Sequence, residues 1–187
     1  GYANGHIYYN LGNTYFRMNR LGLAILNYER ARLFIPRDPD LDFNLRYVRD
    51  KTIDAIEEQK GFIDITFFWL NSLSLNEIFW SFALMNLLFW GSLFLRIFLK
   101  SEWLYYINLS LMIVWFIGGI SFGLKSYKVI KDNRAVIVQN EVNVLAGPDP
   151  QDTVLFKLHD GAIVRYERSE DGWSLIHISD KERGWVK

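Results

Sequence analysis

The sequence predicts a multidomain membrane protein in three parts: an α-helical module, a two-helix transmembrane hairpin and a small all-β barrel. Three observations carry this reading. Apolar residues recur at helical spacing through residues 5–58. Two long apolar runs follow, at residues 78–99 and 103–124. Residues 134–187 then alternate apolar and polar side chains between turn signals. Averages over the 187 residues hide this organisation, because a formal net charge of zero and 50% hydrophobic content suit a soluble protein. The charges crowd into residues 17–60 and 125–187, and few lie between 61 and 124. The expected divisions are a helical module over 1–60, an interfacial segment over 61–75, the hairpin within 76–125 and the β-domain over 133–187.

In the helical module the first apolar series is Ile7, Tyr8, Leu11, Tyr15 and Met18, and the second is Leu21, Ala24, Ile25, Tyr28, Ala31 and Leu33. Both follow the period of an amphipathic helix. Asn19-Arg20 separates them as a turn, and Pro36 and Pro39 stop the second helix. Asp40 is expected to cap a third helix from Leu41 to Glu58, with a narrow stripe of Leu41, Leu45, Val48 and Ile53. Helix, turn, helix and a terminal proline within about 34 residues resembles a tetratricopeptide repeat. With Gly5 as its first position, the family's signature positions fall on Tyr8, Leu11, Gly12, Tyr15, Ala24, Tyr28, Ala31 and Pro36, each an expected type. A second register from Pro39 keeps Leu45 but puts Arg46 at a small-residue position, so residues 41–58 read as a capping helix. One repeat cannot bury its own face, and the chain opens mid-pattern without Met, so a further repeat is expected upstream. The resemblance implies a concave partner-binding face on His6, Tyr9, Asn10, Asn13, Phe16 and Arg17, with Asn44 from the next helix. Asn13 and Asn44 match positions where some members hold a peptide backbone or carboxylate. The alternative is that Asn10 and Asn44 cap or bridge neighbouring helices.

The run Trp103–Leu124 has no formal charge, and at about 1.5 Å per residue it crosses a hydrocarbon core of about 30 Å. The run Ile78–Leu99 carries one charge, Arg96, near its end, where the side chain can snorkel with Lys100. Ser74 and Glu77 have the spacing of a capping box. The short link Lys100-Ser101-Glu102 makes the pair an antiparallel hairpin. Two buried helices of a soluble core are the alternative, but adjacent runs of this length and purity are rare there. Phe62–Leu70 is too short to span and carries Asp64, and its aromatics suggest a segment at the headgroups. Gly119 and Gly123 form a small-xxx-small pattern expected to pack on Gly91 and Ser92 of the first span, with binding of another protein's span as the alternative. Asn86 and Asn108 are expected not to meet, each being bonded locally or to a partner.

The β-domain is expected to hold five short strands. Alternation is clear in Val136–Val138, Ala162–Tyr166 and Trp173–Ile178, with turns at Gly147-Pro148-Asp149-Pro150, Asp160-Gly161 and Asp171-Gly172. Asn143, Val144, Gly147, Gly161, Trp173, Gly184 and Trp185 stand at positions that resemble the bacterial SH3 domain family, which implies an SH3-like barrel. That family usually has Arg where this chain has Leu145. The sequence stops at Lys187, a few residues before the family pattern normally ends.

Catalytic constellations are absent from the sequence. With no cysteine there is no disulfide framework, thiolate metal site or cysteine nucleophile. His6, His159 and His177 have no carboxylate or second histidine at ligand spacing, and structural or solvated roles are expected. No phosphate loop and no basic tract point to nucleotide or nucleic acid. No catalytic residue, metal or cofactor is therefore expected.

The order of repeat, hairpin and SH3-like domain resembles the BatE proteins of bacterial aerotolerance operons over the whole chain. Tyr9–Asn13, Ile25–Ala31, Pro39–Leu41 and Asn44-Leu45 are close to that family's repeat. The resemblance implies an inner-membrane interaction scaffold. Its partners would be Bat proteins with von Willebrand A domains and a MoxR-type ATPase, acting in oxygen tolerance or envelope stress. A cell-wall module holding peptidoglycan peptides is the alternative. Both soluble modules share one side of the membrane, since the spans number two. Lys60, Lys125, Lys128, Lys131 and Arg134 flank that side, which by the positive-inside rule favours the cytoplasm. The resemblance favours the periplasm, and that is the expectation adopted.

Overall fold

Asn4 starts the first helix by accepting the His6 N–H on its side chain at 2.9 Å, which satisfies one of the amides a helix start leaves unbonded. Helix α1 (Gly5–Arg17) ends before Asn19, whose φ of 55° is a left-handed conformation that Asn tolerates, and the chain turns into α2 (Leu21–Arg32). A Cβ at Gly12 would stand 2.5 Å from ring carbons of Tyr28, so the missing side chain lets the two helices close on that ring. Helix α3 (Pro39–Arg49) departs from expectation in two ways. Its cap is Asp38, not Asp40: the Asp38 carboxylate accepts the N–H groups of Asp40 and Leu41 at 3.0 and 2.9 Å. Pro39 then takes the first helical position, where its missing N–H costs nothing. The helix also stops at Arg49, where the Thr52 hydroxyl donates to the Arg49 carbonyl at 2.7 Å, leaving Ile53 exposed outside the stripe. The computed structural model describes residues 4–54, 61–99, 101–178 and 182–187, so residues 55–58 of the expected third helix lie outside the described residues. Ala24, Ile25, Tyr28 and Ala31 bury their side chains against Leu41, Leu45 and Val48 to make the helical core.

Six strands, rather than the five expected, are present among the described residues. They are β1 (Arg134–Val136), β2 (Glu141–Leu145), β3 (Val154–His159), β4 (Ile163–Glu170), β5 (Trp173–His177) and β6 (Arg183–Val186). They form one antiparallel sheet in the order β1-β4-β5-β6-β2-β3. Its core joins Ile137, Val144, Leu158, Ala162, Val164, Ile176 and Val186, drawing from both ends of that order, so the sheet curls on itself. Asp171 and Gly172 both have positive φ, the backbone of a two-residue hairpin turn, and they join β4 to β5.

Residues Gly1–Gln59 and Asn133–Lys187 are one compact unit, although more than 70 residues of sequence separate their two parts (Lys60 to Asp132). The sequence reading does not anticipate this. Helix α2 has no side-chain cap from its own cap residue, Arg20. Asp160, in the turn between β3 and β4, supplies one: its Oδ1 accepts the Gly22 N–H at 3.0 Å. The Ile137 carbonyl and the Asp160 carboxylate fill the space a side chain on Gly22 would need. Gly161 adopts φ +96°, which a side-chain-bearing residue resists, and presses its backbone against Ile25 and Thr52. Asp54 accepts the His159 N–H at 2.6 Å and lies 3.2 Å from that residue's ring Nδ1. Glu29 is held by Arg32 at 3.0 Å, Arg134 at 3.4 Å and Arg49. Val136 and Ile163 of the sheet pack against the helical core.

The second compact unit, Lys60–Asp132, contains α4 (Phe62–Thr66), α5 (Trp69–Ser72), α6 (Leu75–Phe98) and α7 (Glu102–Ile130). The Ser74–Glu77 capping box is formed: Ser74 Oγ accepts the Glu77 N–H at 3.2 Å and Glu77 accepts the Ser74 N–H at 2.8 Å. Helices α6 and α7 are long and apolar enough to cross a membrane. Helix α7 runs on past Leu124, because Lys125 donates to the Leu70 carbonyl at 2.5 Å instead of ending the helix. The expected contact of Gly119 and Gly123 with Gly91 and Ser92 is not made. Gly91 and Gly123 face open space, and the close approach is Gly118 against Met85 and Phe82, whose large side chains need that gap. The two asparagines bridge the hairpin separately. Trp115 Nε1 donates to Asn86 Oδ1 at 2.9 Å, and Ser92 Oγ lies 2.5 Å from Asn108 Oδ1.

Removing the cap that the sheet lends to α2 should loosen that helix. Asp160→Ala is expected to cost about 1 kcal/mol and to speed amide exchange at the start of α2, with Asp160→Asn much milder. Unchanged exchange of the Gly22 and Leu23 amides in Asp160→Ala would contradict the capping role.

Candidate functional site

Helix α1 turns Tyr9, Asn13, Phe16 and Arg17 to one side, as the helical period requires of residues spaced by three and four. Tyr28 of α2 and Asn44, Tyr47 and Val48 of α3 face them, and together they line a groove of about 320 Å³. A hydrogen-bond network sets its floor. Asn13 Oδ1 accepts from the Tyr28 hydroxyl at 2.7 Å and from Asn44 Nδ2 at 3.1 Å, and Asn44 Nδ2 also reaches the Tyr9 hydroxyl at 3.0 Å. These bonds fix both amides in one orientation. Among the described residues nothing bonds Asn13 Nδ2 or Asn44 Oδ1, so the pair presents one donor group and one acceptor beside each other, as an extended peptide backbone requires. Arg17 stands exposed at the rim. Phe16 meets Tyr47 edge to face at 5.8 Å, and Tyr47 stacks on Phe43 at 6.2 Å, so the α3 side is an aromatic wall. Burial pushes the Tyr28 hydroxyl up to about 12, with nearby Tyr9 adding to the shift and Arg17 opposing it.

Of the face expected from sequence, Tyr9, Asn13, Phe16, Arg17 and Asn44 come together here. His6 and Asn10 do not: both are exposed outside the groove, and the Asn10 backbone carbonyl accepts from Thr14. Asn44 both lines the groove and bridges α3 to α1, the bridging alternative considered for it. Tyr47 and Val48 were missed, although they lie three and four residues beyond Asn44 on the same helix face. Tyr28, expected as a repeat-signature position, also lines the groove. Among the other repeat-signature positions, Ala24 and Ala31 are buried, Tyr8 stacks on Phe34 at 6.0 Å, Tyr15 and Pro36 are half-buried, and Leu11 is exposed.

In the β-domain Val144 lies in the inner core, while Asn143 is exposed opposite Lys157. Leu145, where Arg is the residue expected from the resemblance, is buried on the other side of the sheet with Trp173, Leu175 and Trp185. Arg168 lies 5.4 Å over the Trp185 ring and Lys187 lies 5.9 Å over that of Trp173, so cations cover this second apolar cluster. Gly184 packs against Val144 and the Leu145 carbonyl, and Gly147 sits beside Asp152. His159 contacts Asp54 of the helical part, and His177 Nδ1 lies 3.1 Å from Glu167. A carboxylate 105 positions away, as Asp54 is from His159, leaves no local spacing to read. Glu141, exposed on β2, is held below the usual carboxylate range by its hydrogen bond from Lys157 at 2.6 Å.

Comparison with known families identifies a bacterial SH3 domain at residues 138–187. The match begins just after β1 and takes in β2 to β6, so the chain carries an SH3-like sheet behind its helices. No curated protein and no solved structure matches the chain.

The raised pKa of Tyr28 predicts an alkaline loss of stability. The fold favours the protonated phenol, so its contribution is fully present below the ordinary value of about 10 and disappears as the pH rises through about 12. Tyr28→Phe should be less stable at neutral pH by about 1 kcal/mol, through the lost bond to Asn13. It should also show a shallower alkaline decline than wild type in denaturant titrations. Identical alkaline slopes in the two proteins would contradict the assignment.

Proposed function

We propose that this protein is a membrane-anchored interaction scaffold without catalytic activity, in which the helical region acts as a tetratricopeptide-type module that holds an extended segment of a partner protein. The groove supports this reading most directly. Asn13 and Asn44 are locked by Tyr9 and Tyr28, they offer a backbone-like donor and acceptor, and Arg17 adds a cation suited to a carboxylate. The exposed apolar surface of α6 and α7 supports insertion of the hairpin in a bilayer. The resemblance to BatE proteins supplies the context: the bacterial inner membrane, both soluble parts in the periplasm, Bat proteins with von Willebrand A domains and a MoxR-type ATPase as partners, and a role in aerotolerance or envelope stress. The bacterial SH3 domain favours a second reading, since such domains commonly bind protein or cell wall. In that reading the β-domain holds peptidoglycan peptides.

Arg17→Ala, at an exposed position, and the double variant Asn13→Ala with Asn44→Ala are expected to reduce recovery of Bat partners at least tenfold. Circular dichroism of each variant confirms that the helices remain. Wild-type recovery with both variants would remove the assigned face. Retention of the full chain in detergent on purified sacculi, undiminished by the groove variants, would favour the cell-wall reading instead. Protease added to intact spheroplasts should digest the β-domain, and its protection would reverse the proposed sidedness.

A further inference from the structure

The short helices α4 and α5 form a strap fastened to α7. Trp69 Nε1 donates to Ser121 Oγ at 3.1 Å, and Lys125 donates to the Leu70 carbonyl at 2.5 Å. Lys128 reaches Asp64 at 2.5 Å and Asn71 at 3.0 Å. The bond from Lys128 holds the Asp64 carboxyl below its ordinary range, as a carboxylate paired to a cation requires. Fastened on this side, the strap turns large apolar groups away from the helices: Phe62 is 81% exposed, Ile65 66% and Phe68 68%, while Leu70 on the fastened side is 2% exposed. A segment this short does not leave three such side chains in water without cost, and burying them is worth about 25 cal/mol per Å².

Distance along α7 identifies what covers them. At about 1.5 Å per residue the helix rises about 28 Å from Glu102 at its start to Ser121, where the strap is tied, close to the thickness of a hydrocarbon core. The hairpin tip carries the features of one membrane surface, with the Arg96 guanidinium 5.2 Å over the Tyr105 ring and Trp103 exposed beside it. The strap therefore lies one bilayer core away, at the level of the opposite surface. There Lys125 and Lys128 bring charge to α7.

We infer that residues 62–72 are a bilayer-interface element, with Phe62, Ile65 and Phe68 sunk among lipid headgroups and acyl-chain ends and the Asp64–Lys128 tie setting their depth. The inference rests on the proposed membrane insertion of the hairpin.

The chain has no cysteine, so single-cysteine variants carry one spin label each without further changes. The full chain is placed in nanodiscs of phosphatidylethanolamine and phosphatidylglycerol, and collision rates with oxygen and with a water-soluble nickel chelate are compared. Labels at Ile65→Cys and Phe68→Cys are expected to favour oxygen several-fold relative to a label at Asp149→Cys on the exposed turn of the β-domain. A label at Ile113→Cys in the middle of α7 should favour it more strongly still. Nickel accessibility at 65 and 68 equal to that at 149, with 113 in lipid, would overturn the strap and leave the hairpin reading standing. Shielding of 65 and 68 from both reagents would overturn it in favour of a protein cover. A water-accessible label at 113 would overturn the membrane reading itself.

Discussion

The bond from the Gly22 amide to the Asp160 carboxylate is the constraint on which the joined unit of helices and sheet depends. A helix start leaves amides that need acceptors, and the residue before α2 provides none. The acceptor comes from a β-turn far along the sequence, and only a glycine at position 22 lets that turn approach closely. Around this contact the rest of the interface is charged at its edges and apolar between them. His159 meets Asp54 at one margin, Glu29 gathers three arginines at the other, and Val136 and Ile163 pack on the helical core in between. The sheet thus completes the helical region as a second structural half.

Consequences for the groove follow through α2. Tyr28 lies on that helix, in the core by its ring and in the groove by its hydroxyl, and it orients Asn13 from beneath. A shift of α2 would move this donor and with it the amide pair that lines the groove. The floor of the groove and the attachment of the sheet therefore share one helix, α2.

Local chemistry was legible in the sequence, and long-range chemistry was not. The helix periods, the two apolar runs, the Ser74–Glu77 box and the Asp171-Gly172 turn are all signals within a few residues, whereas Pro39, expected to stop a helix, starts α3. Tyr9, Asn13, Phe16 and Arg17 were legible through the tetratricopeptide resemblance, which also pointed to His6 and Asn10 outside the groove. Choosing Asp40 over Asp38 as a cap overlooked that Pro39 belongs at the first helical position, one place after its cap. In the hairpin the two asparagines do not meet, as expected, and Asn86 also bonds locally to the Phe82 carbonyl, but small residues do not mark the helix contact. Phe82 and Met85 instead fill the space against Gly118, and Asn86 and Asn108 find Trp115 and Ser92. The joining of sheet to helices rests on side chains more than a hundred positions apart, and no spacing rule reaches that far.

If the helices and the sheet are one unit, they unfold together. Hydrogen exchange of the full chain across a urea series, read separately on peptides from α2 and from β4–β5, tests this most directly. The account predicts a single midpoint at which both lose protection. Two well-separated midpoints, with the sheet still protected where α2 has exchanged, would contradict it.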